Sequence, residues 1–163
     1  MTKKYDAIII GAGVIGAPIA YELSQRGYKT LNVDKLPDAG EGSTAGSCAI
    51  VRAHYSTEDG VSMAYEGYKY WLDWENYLGN VKDEKGLAKY MNTGSILIKS
   101  QGHDWRKVQS NYDEVGVQYE EWDVDKIKEM VPVYDMHEFW PVRRPEDPEF
   151  FNEPEKMLEG AIF

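Results

Sequence analysis

Apolar positions along this chain fall into runs whose period changes from one segment to the next. Residues 5–10 (Tyr-Asp-Ala-Ile-Ile-Ile) are a short β-branched run stopped by glycine, the pattern of a buried central strand in a parallel sheet. From position 14 to 26, Ile15, Ile19 and Leu23 recur at helical spacing, and Gly27 supplies a stop. Residues 29–34 form a second strand, so the opening predicts a strand–helix–strand unit with a right-handed crossover and parallel strands. Residues 36–47, dominated by Gly, Ser, Pro and Asp, predict a loop whose backbone can approach a partner closely. Val61, Ala64, Tyr65, Tyr68, Trp71, Leu72 and Leu78 then predict a helix over residues 60–79, ended by Gly79.

Beyond this point the order becomes mixed. Residues 94–99 read as a strand; Trp105, Val108, Tyr112 and Val115 mark a helix stopped at Gly116; residues 117–122 form another strand. A short helix follows, with Asp123 as N-cap, running to Val131 and closed by Pro132. Five prolines between 132 and 154 predict an extended surface segment, and residues 160–163 start a further strand. The fold class is therefore α/β over residues 1–85, followed by the start of an α+β region over 86–163.

Composition narrows the partners. With 163 residues, 42% apolar and 13% aromatic, the chain has the make-up of a folded domain and not of a disordered segment. A formal net charge of −10 repels both a nucleic-acid backbone and an anionic membrane surface. Residues 1–82 hold 8 of the 18 basic and 10 of the 28 acidic side chains, so most of the excess acidity lies in the second half. One cysteine, Cys48, excludes an internal disulfide, and the five apolar residues near the start are too few for a signal peptide or a membrane span. A reducing, cytoplasmic setting is expected. The three histidines and single cysteine show no metal-ligand spacing.

The candidate chemistry sits where the first strand meets the first helix, at Gly11-Ala12-Gly13-Val14-Ile15-Gly16. Gly11 permits the tight turn, Gly13 removes a Cβ that would block a pyrophosphate, and Gly16 lets the helix pack closely on the sheet. Free N–H groups at the helix start, beginning with Val14 and Ile15, suit phosphate oxygens. Asp34 ends the second strand, eighteen residues after Gly16, where an acid accepts hydrogen bonds from an adenosine ribose and repels a 2′-phosphate. Lys35 beside it weakens that repulsion slightly. The turn alone serves NAD and FAD equally.

The next segment separates the two. The stretches Tyr5-Asp-Ala-Ile-Ile-Ile-Gly-Ala-Gly-Val-Ile-Gly16, Ala20-Tyr-Glu-Leu-Ser-Gln-Arg-Gly27 and Gly42-Ser-Thr-Ala-Gly-Ser-Cys-Ala-Ile-Val-Arg52 resemble the D-amino-acid oxidase superfamily of FAD-dependent oxidoreductases, in particular its sarcosine oxidase and glycine oxidase branch. The resemblance implies a Rossmann-like FAD-binding domain followed by a substrate domain. It implies that Gly42, Ser43 and Thr44 approach the pyrophosphate or ribityl chain, and that Ala49 and Ile50 line the flavin ring. Arg52 stands where related enzymes receive a substrate carboxylate, a task suited to the guanidinium fork; the alternative is a surface arginine paired with an acid. His54 and Tyr55 follow closely enough to reach the same cavity. Relatives that attach FAD covalently place a histidine after Gly-Ser-Thr; here Ala45-Gly-Ser47 stands there, so noncovalent FAD is expected unless Cys48 forms the link.

Oxidation of a small amino acid or N-methyl amino acid is the reaction this resemblance implies. Members of the family run to more than twice this length, so a further C-terminal part or a second polypeptide is expected to complete the enzyme. Two other readings of the same turn are a noncatalytic dinucleotide-binding subunit of a multi-chain complex and an NAD-dependent dehydrogenase domain.

Overall fold

The computed structural model describes residues 3–163. It forms two compact units, one ending at Ile50 and the other covering Val51–Phe163.

In the first unit, strands β1 (Ala7–Ile10) and β2 (Thr30–Val33) pair in parallel, with Ala7 opposite Thr30 and Ile10 opposite Val33. Helix α1 (Gly16–Gln25) makes the crossover. It ends through Arg26, where the N–H groups of Gly27 and Tyr28 reach back to Ser24 and Leu23, and Gly27 takes a φ of 84° that favours glycine. Within β1 the side chains alternate: Ile9 is buried, whereas Ile8 and Ile10 are 63% and 88% exposed. One face of the strand is therefore covered within this unit, where the sequence led us to expect burial on both.

The second unit is built around a three-stranded antiparallel sheet in the order β3 (Leu97–Ile98), β5 (Ala161–Ile162), β4 (Glu121–Trp122). Its middle strand turns one side chain to each face. Ile162 joins Val61, Trp105, Val108 and Tyr112, and Ala161 joins Trp122, Ile127 and Met136. The first face is covered by α2 (Glu58–Leu72) and α4 (Trp105–Val115), and the second by α5 (Val124–Met130). A single turn, α3 (Trp74–Tyr77), follows α2.

Local chemistry explains the boundaries. Asp123 accepts from the N–H of Lys126 and Asp104 from that of Lys107, while Thr57 caps α2 by accepting from Gly60. Gly116 closes α4 at φ 79°. The helix expected over 60–79 begins earlier, at this threonine cap, and breaks at Asp73, whose backbone leaves the helical region. The strands expected at 94–99, 117–122 and 160–163 shrink to two residues each. The sequence placed α2 with the first region; its contacts with α4, through the fully buried Val61, put it in the second unit. Residues 132–154 contain no helix or strand, as their prolines led us to expect. Among the described residues no helix is long and apolar enough to cross a membrane.

Burial has a measurable consequence at Tyr112. It pushes the phenol from 10.0 up to about 12. An unfolded chain would ionise this group at its ordinary value, so the contribution is complete below pH 10 and is lost as pH rises towards 12. Melting temperatures measured across that window are expected to fall less steeply for Tyr112→Phe than for the parent protein.

Candidate functional site: a glycine turn and an arginine segment

The turn between β1 and α1 owes its shape to two glycines. Gly11 adopts φ 105°, and its N–H donates to the carbonyl of Val33 at 2.7 Å, tying the turn to the end of β2. At Gly16 a Cβ would stand 2.0 Å from the carbonyl oxygen of Gly11 and 3.3 Å from Cγ2 of Ile9, so only glycine lets the helix start so close to the strand. A Cβ at Gly13 would meet the Thr44 hydroxyl at 2.9 Å.

Asp34 and Thr44 converge on this turn. One carboxylate oxygen of Asp34 accepts from the N–H of Ala12 at 2.7 Å and the other from Leu36 at 2.9 Å. Those two main-chain donors, Leu36 and then Ala12, hold the Asp34 carboxyl below its ordinary range, and Lys35 adds a smaller pull in the same direction. The side chain is thus an anion at neutral pH, fixed at the tip of β2. From the loop, the Thr44 hydroxyl accepts from the N–H of Val14 at 2.9 Å, and the N–H of Gly40 donates to Ala12 at 3.0 Å.

The result is a small basin of main-chain donors. Ile15, at the N-cap, offers no side-chain acceptor to the helix end, and the first turn of α1 carries no acid. Among the described residues the N–H groups of Gly13, Ile15 and Gly16 have no hydrogen-bond acceptor. The chemistry of this donor set fits a diphosphate: amides at a helix start, one of them already satisfied by a hydroxyl oxygen, beside a carboxylate suited to a sugar diol. Thr44→Val removes that acceptor and is expected to lower the stability of the first unit by about 1 kcal/mol. The check is a shift of the urea midpoint at unchanged slope.

Of the residues singled out from the sequence, Gly11, Gly13, Val14, Ile15, Gly16, Asp34 and Thr44 are brought together. Lys35, Gly42 and Ser43 are exposed; Gly42 accepts from Ala45 at 3.2 Å and serves the loop's own turn. Ala49 adopts a positive φ of 53°, its N–H held by the Ser47 hydroxyl, and Ile50 is 75% exposed. Cys48 is exposed and free. Sequence reasoning missed Ala12, Gly40 and Leu36, which act through main-chain atoms. Only Gly40, at the end of a Pro-Asp-Ala-Gly turn with φ 82°, carried a signal that could have been read.

The second unit holds Arg52, His54 and Tyr55. The Arg52 guanidinium lies over the Tyr55 ring, 5.5 Å from its centroid, and among the described residues it makes no ion pair. Arg52 itself is exposed. Burial of the imidazole, and then the charges of Arg52 and His103, lower the His54 pKa, leaving it neutral at pH 7. Among the described residues no group of His, Cys, Asp and Glu could hold a metal ion.

A parallel crossover with a glycine turn and an acid at the tip of the second strand defines a dinucleotide-binding protein. The sequence signature of the FAD dependent oxidoreductase family (DAO) matches residues 6–143, and the chain belongs to that family. It is 34% identical over 107 residues to a probable sarcosine oxidase of Arabidopsis thaliana, covering 61% of this chain and 26% of that protein. To the human peroxisomal sarcosine oxidase it is 27% identical over 131 residues, covering 78% of this chain and 32% of the relative. The crystal structure of glycine oxidase from Geobacillus kaustophilus superposes with a TM-score of 0.66 at 18% identity, covering 99% of this chain and 39% of that one. This last likeness bears out the fold. The match thus spans about a quarter to a third of the length of these two relatives.

Proposed function

We propose that this chain supplies the adenosine-diphosphate half of a noncovalent FAD site, in an enzyme that oxidises a small amino acid or N-methyl amino acid. The observation that carries the reading is the convergence of Asp34 and Thr44 on the amides of the glycine turn. The Gly13, Ile15 and Gly16 amides would hold the diphosphate, Asp34 the ribose, and the Thr44 hydroxyl would yield its amide or share it. Gly42, Ser43, Ala49 and Ile50 belong to the loop that would follow the cofactor towards its ring. No histidine occupies residues 45–47, and Cys48 is left unmodified in this reading.

Bound flavin would take a hydride from the carbon beside the substrate nitrogen. This chain's own part is orientation. Arg52, without a carboxylate partner of its own, receives that of the substrate, and neutral His54 adds no second charge beside it. Names of the relatives, sarcosine and glycine oxidases, support a substrate of this size. The exposed face of β1, with Ile8 and Ile10 uncovered, supports its covering by further polypeptide. A single exposed thiol suits a reducing compartment, and we place the enzyme in the cytoplasm.

The test is to purify the protein with whatever accompanies it, record the visible spectrum, and assay N-methylglycine and glycine. A yellow protein whose flavin is released by denaturation and reduced by either substrate is the expected result. A colourless protein stabilised by NAD and indifferent to FAD overturns the reading.

A further inference from the structure

Residues 52–55 have no helix or strand of their own, so something else must hold the arginine they carry. Three contacts do so, all from the second unit. Ala53 packs against the core formed by Val61, Trp105, Val108, Tyr112 and Ile162. The root of the Tyr55 ring rests on Gly60, where a Cβ would come within 3.1 Å of the Tyr55 Cβ and 3.4 Å of its Cγ. The third contact comes from Asn111, in the middle of α4 and only 2% exposed, which donates from Nδ2 to the main-chain carbonyl of Tyr55 at 3.2 Å.

A buried amide side chain reaching 56 positions back along the chain to a main-chain carbonyl is a costly arrangement unless that carbonyl's position matters. Apolar residues fill the neighbouring positions of α4 that face the core, and Leu or Met at 111 would bury area without the polar burden. What the bond fixes is the main chain at Tyr55, the residue over whose ring the Arg52 guanidinium lies.

We propose that Asn111 is a positioning residue for Arg52: by holding the Tyr55 carbonyl it sets the ring that orients the guanidinium for a substrate carboxylate. The inference rests on the proposed role of Arg52. It adds a residue of α4 that touches neither substrate nor cofactor, and it makes the affinity for carboxylates depend on the packing of that helix.

The test uses the flavin-loaded protein as isolated. Calorimetric titration with acetate, which has no amine to oxidise, compares the parent, Arg52→Gln, Asn111→Leu and the double variant, alongside kcat and KM for N-methylglycine. Asn111→Leu is expected to weaken acetate binding by about tenfold, the loss of one well-aimed charged hydrogen bond, and to raise KM for N-methylglycine more than it lowers kcat. In the Arg52→Gln background the same substitution is expected to add nothing.

If Arg52→Gln weakens binding and Asn111→Leu does not, or if the two effects simply add, Asn111 does not act through Arg52 and the inference is overturned. If Arg52→Gln itself leaves binding unchanged, the role proposed for Arg52 fails and the inference falls with it. Should Asn111→Leu fail to yield flavin-loaded protein, Tyr55→Ala, at a residue 42% exposed, tests the ring directly. Binding weakened about tenfold, and no further in the Arg52→Gln background, supports the proposal; unchanged binding overturns it.

Discussion

Gly16→Ala is expected to give a protein without bound flavin and with a first unit that melts well below the parent's. The added methyl would stand 2.0 Å from the Gly11 carbonyl oxygen and 2.9 Å from its carbon, and neither atom can swing aside because both belong to the turn's backbone. Relief requires moving α1 away from β1, which also uncovers Ile9, the buried residue of that strand. Overpacking of this kind costs about 3 kcal/mol or more, a large share of the roughly 5–15 kcal/mol that hold a domain together. The readouts are visible absorbance of the purified protein and its melting temperature. Gly67→Ala is the control: inside α2, with nothing within 4 Å of the new methyl, it is expected to raise stability by about 0.5–1 kcal/mol. If Gly16→Ala kept its colour and its melting point, the close approach of helix and turn would be wrong.

Gly160→Ala is expected to have the second-largest effect, in the other unit. Gly160 precedes the middle strand β5 with φ 136°, a region that side-chain-bearing residues rarely enter, and its missing Cβ faces the Trp122 carbonyl oxygen at 2.3 Å. Strain and overlap together cost about 3 kcal/mol. They also act on the strand that both core clusters share, so Ile162 and Ala161 would be displaced together. A urea midpoint for the second unit well below the parent's, followed by tryptophan fluorescence, is the expected observation. A midpoint within experimental error of the parent's would count against the described approach of Gly160 to Trp122.

The first crossover was readable from the sequence because each of its parts is local. A run of isoleucines, a glycine turn, a helical repeat and an acid at a known distance all lie within 34 residues. The caps at Asp123 and Gly116 were readable for the same reason, since a cap acts on the turn beside it. What escaped depends on distance. Thr44 reaches Val14 across 30 positions and Asn111 reaches Tyr55 across 56, and nothing in the periodicity of either segment records the other end. The strand lengths escaped because a strand lasts only as long as its neighbour: β5 offers two residues, so the apolar runs at 94–99 and 117–122 are strands only at Leu97–Ile98 and Glu121–Trp122, with flanking backbone bonds at Lys99 and Glu120. The boundary at residue 50 escaped because the apolar face of α2 fits either neighbour equally well on pattern alone, and only the contact of Val61 with α4 decides it.

The strand order β3-β5-β4 also governs how the second unit is born. Its two outer members come early in the chain and have no bonding partner in each other, so they wait as open ribbons until residues 161–162 arrive between them. Loops of about 40 and 60 residues must close in that one event, which makes assembly slow and nearly all-or-none. Until then both core clusters lack the strand they share, and a nascent chain emerging from the ribosome would carry Trp105, Tyr112 and Trp122 only partly covered.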